Sequence, residues 1–210
     1  MLARRLVQLY AGLALYGASA SLIILSALGN DPWDVLHQGL SRQTGIGTGV
    51  WVCIAGAVVM LLWIPLRQKP GLGTLSNVVV VGLVMELCLI AFEPAHEPAA
   101  RWTLLVSGVL LNGVATGMYI GAAFGPGPRD GLMTGLAARG MSLRAVRTGI
   151  ELTVLAAGIA LGGTFGVGTV VYALAIGPLA HVFVPAFTVA PRPSAAVALP
   201  ASASSPAPCR

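Results

Sequence analysis

The chain has 210 residues, of which 56% are hydrophobic and only 9% are charged. Its mean hydropathy is +0.85, and so few charged side chains cannot cover the surface of a soluble globule of this size. The composition therefore excludes an ordinary soluble domain and predicts an integral membrane protein.

Six windows are long and apolar enough to cross a hydrocarbon core of roughly 30 Å, which takes about 20 helical residues. They cover approximately residues 6–28, 46–66, 73–92, 102–124, 144–163 and 168–187. Because lipid offers backbone groups no hydrogen-bond partner, such spans are helices. The first window begins like a signal peptide, but its apolar part is long for one, so we interpret it as a membrane helix. The predicted fold is all-α with six transmembrane helices.

The placement of the twelve basic residues predicts the orientation. If the N-terminus is cytoplasmic, ten of them lie on the inner side and only Arg42 and Arg101 lie on the outer side. The positive-inside rule then predicts that both termini are cytoplasmic. The net charge of +5 is thereby explained by topology, so the lipid bilayer rather than nucleic acid is the expected partner.

Two polar, proline-containing stretches interrupt the apolar sequence, LGNDPWDVLHQGLSR at residues 28–42 and FGPGPRDGLMTGLAAR at residues 124–139. An offset of 96 residues aligns them, and the offset becomes 95 further along each half. The matched pairs include Gly29 with Gly125, Pro32 with Pro128, and Asp34 with Asp130.

The alignment predicts two inverted repeats. Each half holds three spans, an odd number, so the second half must enter the membrane from the side opposite to the first. The predicted units are a three-helix repeat at residues 1–100, a second three-helix repeat at residues 101–187, and a cytoplasmic tail at residues 188–210. The tail is rich in Pro, Ala and Ser and is predicted to be disordered.

Each polar stretch contains a proline followed two residues later by an aspartate. Proline suits the first turn of a helix, and the aspartate lies near the positive end of the helix dipole, where it can accept hydrogen bonds from free backbone donors. The residues that follow can form a helix of roughly 15 Å, about half a bilayer. Two interpretations remain: half-helices that enter from opposite sides with N-termini able to bind an anion or a polar group, or interfacial helices that cap the bundle.

Several polar side chains fall at equivalent positions inside the predicted spans. Ionisable groups at such depth are costly and usually face the bundle interior or a cavity. The candidates for substrate binding or proton relay are Glu86 with its equivalent His181, Tyr16 with Asn112, Asn77 with Tyr172, and Asp34 with Asp130. The alternative is that Glu86 is protonated or hydrogen-bonded for packing and that His181 approaches the lipid headgroups.

Arg147 and Glu151 lie four residues apart and can pair along one helical face. The alternative is that Arg147 faces an anionic ligand that enters beside Arg129 and Arg144, which would add this pair to the candidate site. The sequence contains no H-E-x-x-H, no G-x-S-x-G and no His and carboxylate cluster at metal-ligand spacing. We therefore expect no enzymatic activity, no metal and no cofactor.

The chain also resembles a known family. The run LGNDPWDVLHQGLS, followed by TGIGTGVWVCIAG, GPRDGLMTGL, VRTGIE and LGGTFGVGT, is similar to the bacterial YczE/YitT-type membrane proteins, in their YczE-like branch. The similarity covers most of residues 5–183. It implies a multi-span protein of the bacterial plasma membrane and brings no settled biochemical function.

The leading functional hypothesis is a small-solute transporter or channel with a central polar site where the repeats meet. One alternative is an accessory or scaffold protein that moves nothing, and another is the membrane subunit of a larger uptake complex. Glycine-rich faces and a small size also suit a homodimer or a contact with another membrane protein.

Overall fold

The computed structural model describes residues 2–189 and folds them as α-helices joined by short loops, without a β-strand in that range. The helices of this part of the chain are α1 Leu2–Leu25, α2 Pro32–Thr44, α3 Thr48–Leu66, α4 Leu72–Ala91, α5 Pro98–Gly121, α6 Pro128–Ala137, α7 Leu143–Ala160 and α8 Val167–Phe187. The all-α prediction is confirmed. The predicted disordered tail lies outside the described residues, apart from Thr188 and Val189.

Helices α1, α3, α4, α5 and α8 are long and apolar enough to cross a membrane. They match five of the six predicted windows. The remaining window, residues 144–163, coincides with α7, which has 18 residues and includes Arg144, Arg147 and Glu151. Three charged side chains lower the hydropathy of so short a helix, and α7 is not among the five candidate spans. The sixth span stays a prediction.

An antiparallel pair, α1 and α5, lies at the centre of the bundle. α4 packs on α1, and α8 packs on α5. The other helices form a second group, in which α2 packs on α3 and α7, and α3 packs on α4 and α6. Large apolar side chains such as Leu9, Leu13 and Leu105 are fully buried along the central pair, so its interface provides much of the core.

Two arginines close the ends of the central pair in the same way. Arg5 Nε donates to Ala122 O (2.9 Å), and its Nη2 donates to the next carbonyl (2.9 Å). Arg101 Nε donates to Ser26 O (2.9 Å), and its Nη2 donates to the next carbonyl (2.6 Å). Both the donors and the acceptors are 96 positions apart, so the same contact occurs once at each end of the pair.

The chain turns sharply after α1 and again after α5. Gly29 has a φ of 118° and Gly125 a φ of 115°, values that favour glycine. Gly29 is also closely packed, because an added Cβ would lie 2.6 Å from Gly166 N. Each turn is held by one backbone hydrogen bond, from Gly168 N to Leu28 O (2.8 Å) and from Gly73 N to Phe124 O (2.9 Å). These turns direct α2 and α6 back toward the bundle.

We expect Arg5→Met and Arg101→Met each to lower the stability of the protein by about 1–2 kcal/mol. Each change removes two charge-assisted hydrogen bonds to carbonyls at a helix end. The measurement is the free energy of unfolding of the purified protein in detergent. Arg4→Met is the matched control, because Arg4 is exposed. Equal stability of all three variants would contradict the assignment.

Candidate functional site

The first turns of the two short helices meet. α2 begins at Pro32 and α6 begins at Pro128, and Arg129 lies 3.7 Å from Asp31 Oδ2 and 3.8 Å from Asp34 Oδ1 across the junction. Because α1 and α5 are antiparallel, the chain leaves them at opposite ends, and both short helices must turn back to touch. This arrangement favours half-helices over interfacial caps.

Asp31 provides the N-cap of α2. Its Oδ1 accepts a hydrogen bond from Asp34 N at 2.7 Å. The sequence had assigned this capping role to Asp34, two residues after the proline. Because Asp31 already fills the N-cap position, the Asp34 carboxylate is free to contact His37 Nδ1 at 3.0 Å. Both Asp34 and His37 are buried.

Arg129 is the cation that faces both carboxylates, Asp31 and Asp34. Its guanidinium lies 4.8 Å from the ring centroid of Trp33, a cation–π contact, and 25% of its side chain is exposed. The ion pairs with Asp31 and Asp34 are too long to be hydrogen bonds. Within residues 2–189, no protein acceptor takes a hydrogen bond from the guanidinium, and the buried Nε1 donor of Trp33 has no partner there either.

A third carboxylate, that of Asp130, directly follows Arg129 in the sequence. Tyr119 OH donates to Asp130 Oδ2 at 3.0 Å, and the Tyr119 ring meets the Tyr16 ring edge to face, with centroids 6.0 Å apart. Tyr119 is on α5, Tyr16 is on α1 and Asp130 is on α6. This contact therefore joins the central helix pair to the second short helix.

Several of these groups line a cavity of about 190 Å³. Its polar lining residues are Tyr16, Asn77, Thr116, Tyr119, Arg129, Asp130 and Arg147, and Trp33 lies among the aromatic and apolar ones. Asp130 also lines a neighbouring depression formed by the turn after α5. The cavity thus combines hydrogen-bond donors, one carboxylate and aromatic rings.

Only some of the predicted site residues line the cavity. Those that line the cavity are Tyr16, Asn77, Asp130 and Arg147, and Asp34 is linked to it through Arg129. Tyr172 and Asn112 form a separate buried cluster, in which Tyr172 OH donates to Asn112 Oδ1 (3.1 Å) and Asn112 Nδ2 donates to Ser19 Oγ (3.0 Å). That cluster joins α1, α5 and α8.

Glu86 and His181 do not line the cavity and are not in contact with each other. Glu86 Oε2 accepts a hydrogen bond from Gly49 N at 2.7 Å, at the start of α3. His181 is exposed near the end of α8. Glu86 thus occupies the hydrogen-bonded position that was the alternative in the sequence analysis.

The predicted pair of Arg147 and Glu151 is formed. Arg147 Nε donates to Glu151 Oε1 at 2.9 Å, along one face of α7. Arg147 also lines the cavity, whereas Glu151 does not. The side chains of both residues are partly exposed, so the pair itself adds little stability, and Arg147 is held at the cavity edge.

Five residues at the site were not among the candidates predicted from the sequence: Asp31, Trp33, His37, Tyr119 and Arg129. Arg129 was counted as a charge of the cytoplasmic side. The sequence contained a signal for this contact. The 96-residue offset aligns Arg129 with Trp33, so the same motif position holds a cation in one copy and an aromatic ring in the other. The candidates were chosen as polar side chains at equivalent positions, and the pair of Trp33 and Arg129 was not among them.

A family model described as "Family of unknown function (DUF6198)" matches residues 3–185 of the chain. The chain belongs to this family. The Bacillus subtilis protein named "Uncharacterized membrane protein YczE" is 33% identical over 171 residues, which cover 80% of each chain. A protein of Haemophilus influenzae is 38% identical over 172 residues, 81% of this chain and 79% of the relative. No solved structure matches the chain.

These relatives confirm the resemblance to YczE-like proteins. Together with the five apolar helices, they show that this member of the DUF6198 family is a membrane protein. The relatives' names give no substrate or activity.

Removal of the cation that pairs with the two buried aspartates should destabilise the protein strongly. We expect Arg129→Gln to cost about 3–5 kcal/mol, because Asp31 and Asp34 would stay buried without a counter-charge. Replacing both aspartates by asparagine in the Arg129→Gln background should recover much of that loss. The measurement is the free energy of unfolding in detergent, with Lys69→Gln as the control, since Lys69 is exposed. An Arg129→Gln protein as stable as this control would overturn the ion-pair assignment.

Proposed function

We propose that this chain is a small-solute transporter of the bacterial plasma membrane, with both termini in the cytoplasm. The two halves act as inverted repeats, 1–100 and 101–187. The solute binds in the central cavity, and the repeats exchange roles to expose the cavity to one side of the membrane and then to the other. No enzymatic reaction is part of the proposal.

Repeated contacts support the inverted-repeat part of the proposal. The hydrogen bonds of Arg5 and Arg101 join equivalent atoms at opposite ends of the central pair. The turns at Gly29 and Gly125 have nearly equal positive φ values. Contacts that recur with donor and acceptor exchanged between halves are expected when a pseudo-two-fold axis lies in the membrane plane.

The main support for the proposal is a difference in helix packing between the two halves. In the first half, α3 packs closely on α4, and a Cβ added to Gly82 would collide with Gly49 O and Cys53 Sγ. In the second half, a Cβ added to the equivalent Gly177 would meet no atom within 4 Å. α8 packs on α5 and has no comparable contact with α7.

The asymmetry gives the cavity one closed end and one open end. Glu86 fastens α4 to the start of α3 at the closed end. At the other end, Arg147 of α7 and Ala180 of α8 line the cavity from either side of the gap, and His181, the equivalent of Glu86, is exposed. In the predicted orientation the open end faces the cytoplasm.

If the two halves exchanged their packing arrangements, the cavity would open to the other side of the membrane. α7 would close on α8 around Gly177, and α3 would separate from α4 around Gly82. Because the halves are built alike, the two states need differ by only a few kcal/mol, which permits both to be populated. Glu86 and His181 then belong to the gates, and the solute is bound elsewhere, at the centre.

Two matched label pairs test the exchange. Leu143 and Val182 lie at the open ends of α7 and α8, and their equivalents 95 residues earlier are Thr48 and Leu87, at the closed ends of α3 and α4. Spin labels on cysteines at each pair, in a background with the three native cysteines replaced, report the two distances in nanodiscs. We expect two populations in each pair, with the short distance of one pair accompanying the long distance of the other.

The outcomes separate the functional classes. If both pairs keep one fixed distance across pH and solute conditions, an accessory or scaffold role replaces the transporter. If the distances change only when another membrane protein is added, the chain is a subunit of a larger uptake complex.

Weakening of the Glu86 hydrogen bond should open the closed end. Glu86→Gln leaves an amide oxygen that can still accept from Gly49 N, but it exchanges a hydrogen bond to a charged group, worth about 1.5–3 kcal/mol, for a neutral one worth about 0.5–1.5 kcal/mol. We expect the population with a long Thr48–Leu87 distance to rise about tenfold. Glu151→Gln is the control, since Glu151 pairs within α7 and should leave that population unchanged.

A further inference from the structure

We infer that the solute is a small zwitterion, a molecule that carries one carboxylate-like group and one ammonium group. This inference rests on the proposed function, because it names the chemistry of the same cavity. The carboxylate end binds Arg129, the indole N–H of Trp33 and the start of α6. The ammonium end binds Asp130 and the aromatic and amide groups beside it.

The donor side of the cavity has unused hydrogen-bonding capacity. Arg129 is held in place by ion pairs of 3.7 and 3.8 Å and by its stack on Trp33, yet its guanidinium donates no hydrogen bond to the protein within residues 2–189. Trp33 is 8% exposed, lines the cavity and has a buried Nε1 donor without a partner. A buried donor left unpaired is costly, and a carboxylate oxygen would satisfy it.

The start of α6 adds to this donor side. In α2 the carboxylate of Asp31 occupies the N-terminal end. The equivalent residue before α6 is Gly127, which provides no side-chain cap and lines the cavity. A solute carboxylate at this end would interact with free backbone N–H groups and with the positive end of the helix dipole, much as Asp31 does at α2.

The acceptor side lies next to it. Asp130 Oδ2 accepts from Tyr119 OH, while Asp130 Oδ1 takes no hydrogen bond from the described residues. The Tyr16 and Tyr119 rings line the same space, and aromatic faces attract cations. Asn77 contributes a side-chain amide to the lining. A carboxylate with aromatic neighbours is suited to an ammonium group.

A solute with both charges fits this arrangement better than a solute with one. An anion alone would leave Asp130 without a counter-charge, and a cation alone would leave the Arg129 and Trp33 donors unused. A zwitterion carries no net charge into a water-poor site, where unpaired charge is costly. The cavity, about 190 Å³, is below the roughly 300–1,000 Å³ of sites for drug-sized ligands, so the solute is small.

Matched sets of three ligands test the inference. Each set contains a zwitterion and the two molecules made by deleting one of its charged groups: glycine with acetate and methylamine, 3-aminopropanoate with propanoate and ethylamine, and 4-aminobutanoate with butanoate and propylamine. Affinity is measured from the rise in the unfolding midpoint of the purified protein at fixed pH and salt. We expect at least one zwitterion to bind about tenfold or more tightly than both of its single-charge analogues.

Two variants assign the two ends. Trp33→Phe keeps an aromatic ring on which Arg129 can stack and removes the Nε1 donor, so it should weaken the zwitterion about tenfold and leave the amine analogue unchanged. Asp130→Asn should abolish the advantage of the zwitterion over the carboxylate analogue. Lys69→Gln, an exposed change, should leave all affinities unchanged. The unfolding midpoint without ligand shows whether each variant is folded.

The inference is overturned if no zwitterion of the three sets raises the midpoint, if a single-charge analogue binds as tightly, or if both variants bind like the parent. The label distances separate this failure from failure of the transporter proposal. Distances that exchange without zwitterion binding refute the ligand class alone. Zwitterion binding to a protein with fixed distances supports the ligand class and refutes transport.

Discussion

A guanidinium and two carboxylates share the interior of this helix bundle, and the arrangement of the short helices depends on keeping them together. Asp31 and Asp34 lie at the start of α2, and Arg129 lies at the start of α6. Any one of these charges alone in a water-poor interior would be costly. The pairing therefore requires both short helices to return to the same place, although the chain leaves α1 and α5 at opposite ends.

The requirement extends outward from the ion pairs. The turns at Gly29 and Gly125 must reverse the chain within a few residues, and their backbone hydrogen bonds attach each turn to the start of a helix in the other half. Arg5 and Arg101 satisfy carbonyls released at those turns. The central charges, the turns and the ends of the core helices are thus parts of one connected framework around the cavity.

Much of the fold could be predicted because lipid imposes few options. Apolar windows of about 20 residues become helices, and five of them are helices of the expected kind. The rule does not decide whether α7 crosses the membrane, because Arg144, Arg147 and Glu151 lower its hydropathy. The polar motif also predicted the start of both short helices at their prolines.

The site was predictable only in part, because position along the chain does not give depth in the bundle. Tyr16, Asn77 and Asp130 were found by their equivalence between halves, and they line the cavity. Arg129 was counted as a charge of the cytoplasmic side. Counting charges loop by loop does not recognise that a segment such as α6 folds back into the bundle. The contact of Glu86 with Gly49 N depends on how closely α3 approaches α4, which no spacing within one helix specifies.

The stack of Arg129 on Trp33 has an evolutionary consequence. The two residues are equivalent under the 96-residue offset, so a pair of identical three-helix chains would place two arginines or two tryptophans against each other across their axis. A cation facing an aromatic ring requires two different sequences. If the halves arose by duplication, this contact dates from after the copies were joined or had diverged. It makes the two sides of the protein's centre chemically different, which they could not be in a symmetric ancestor.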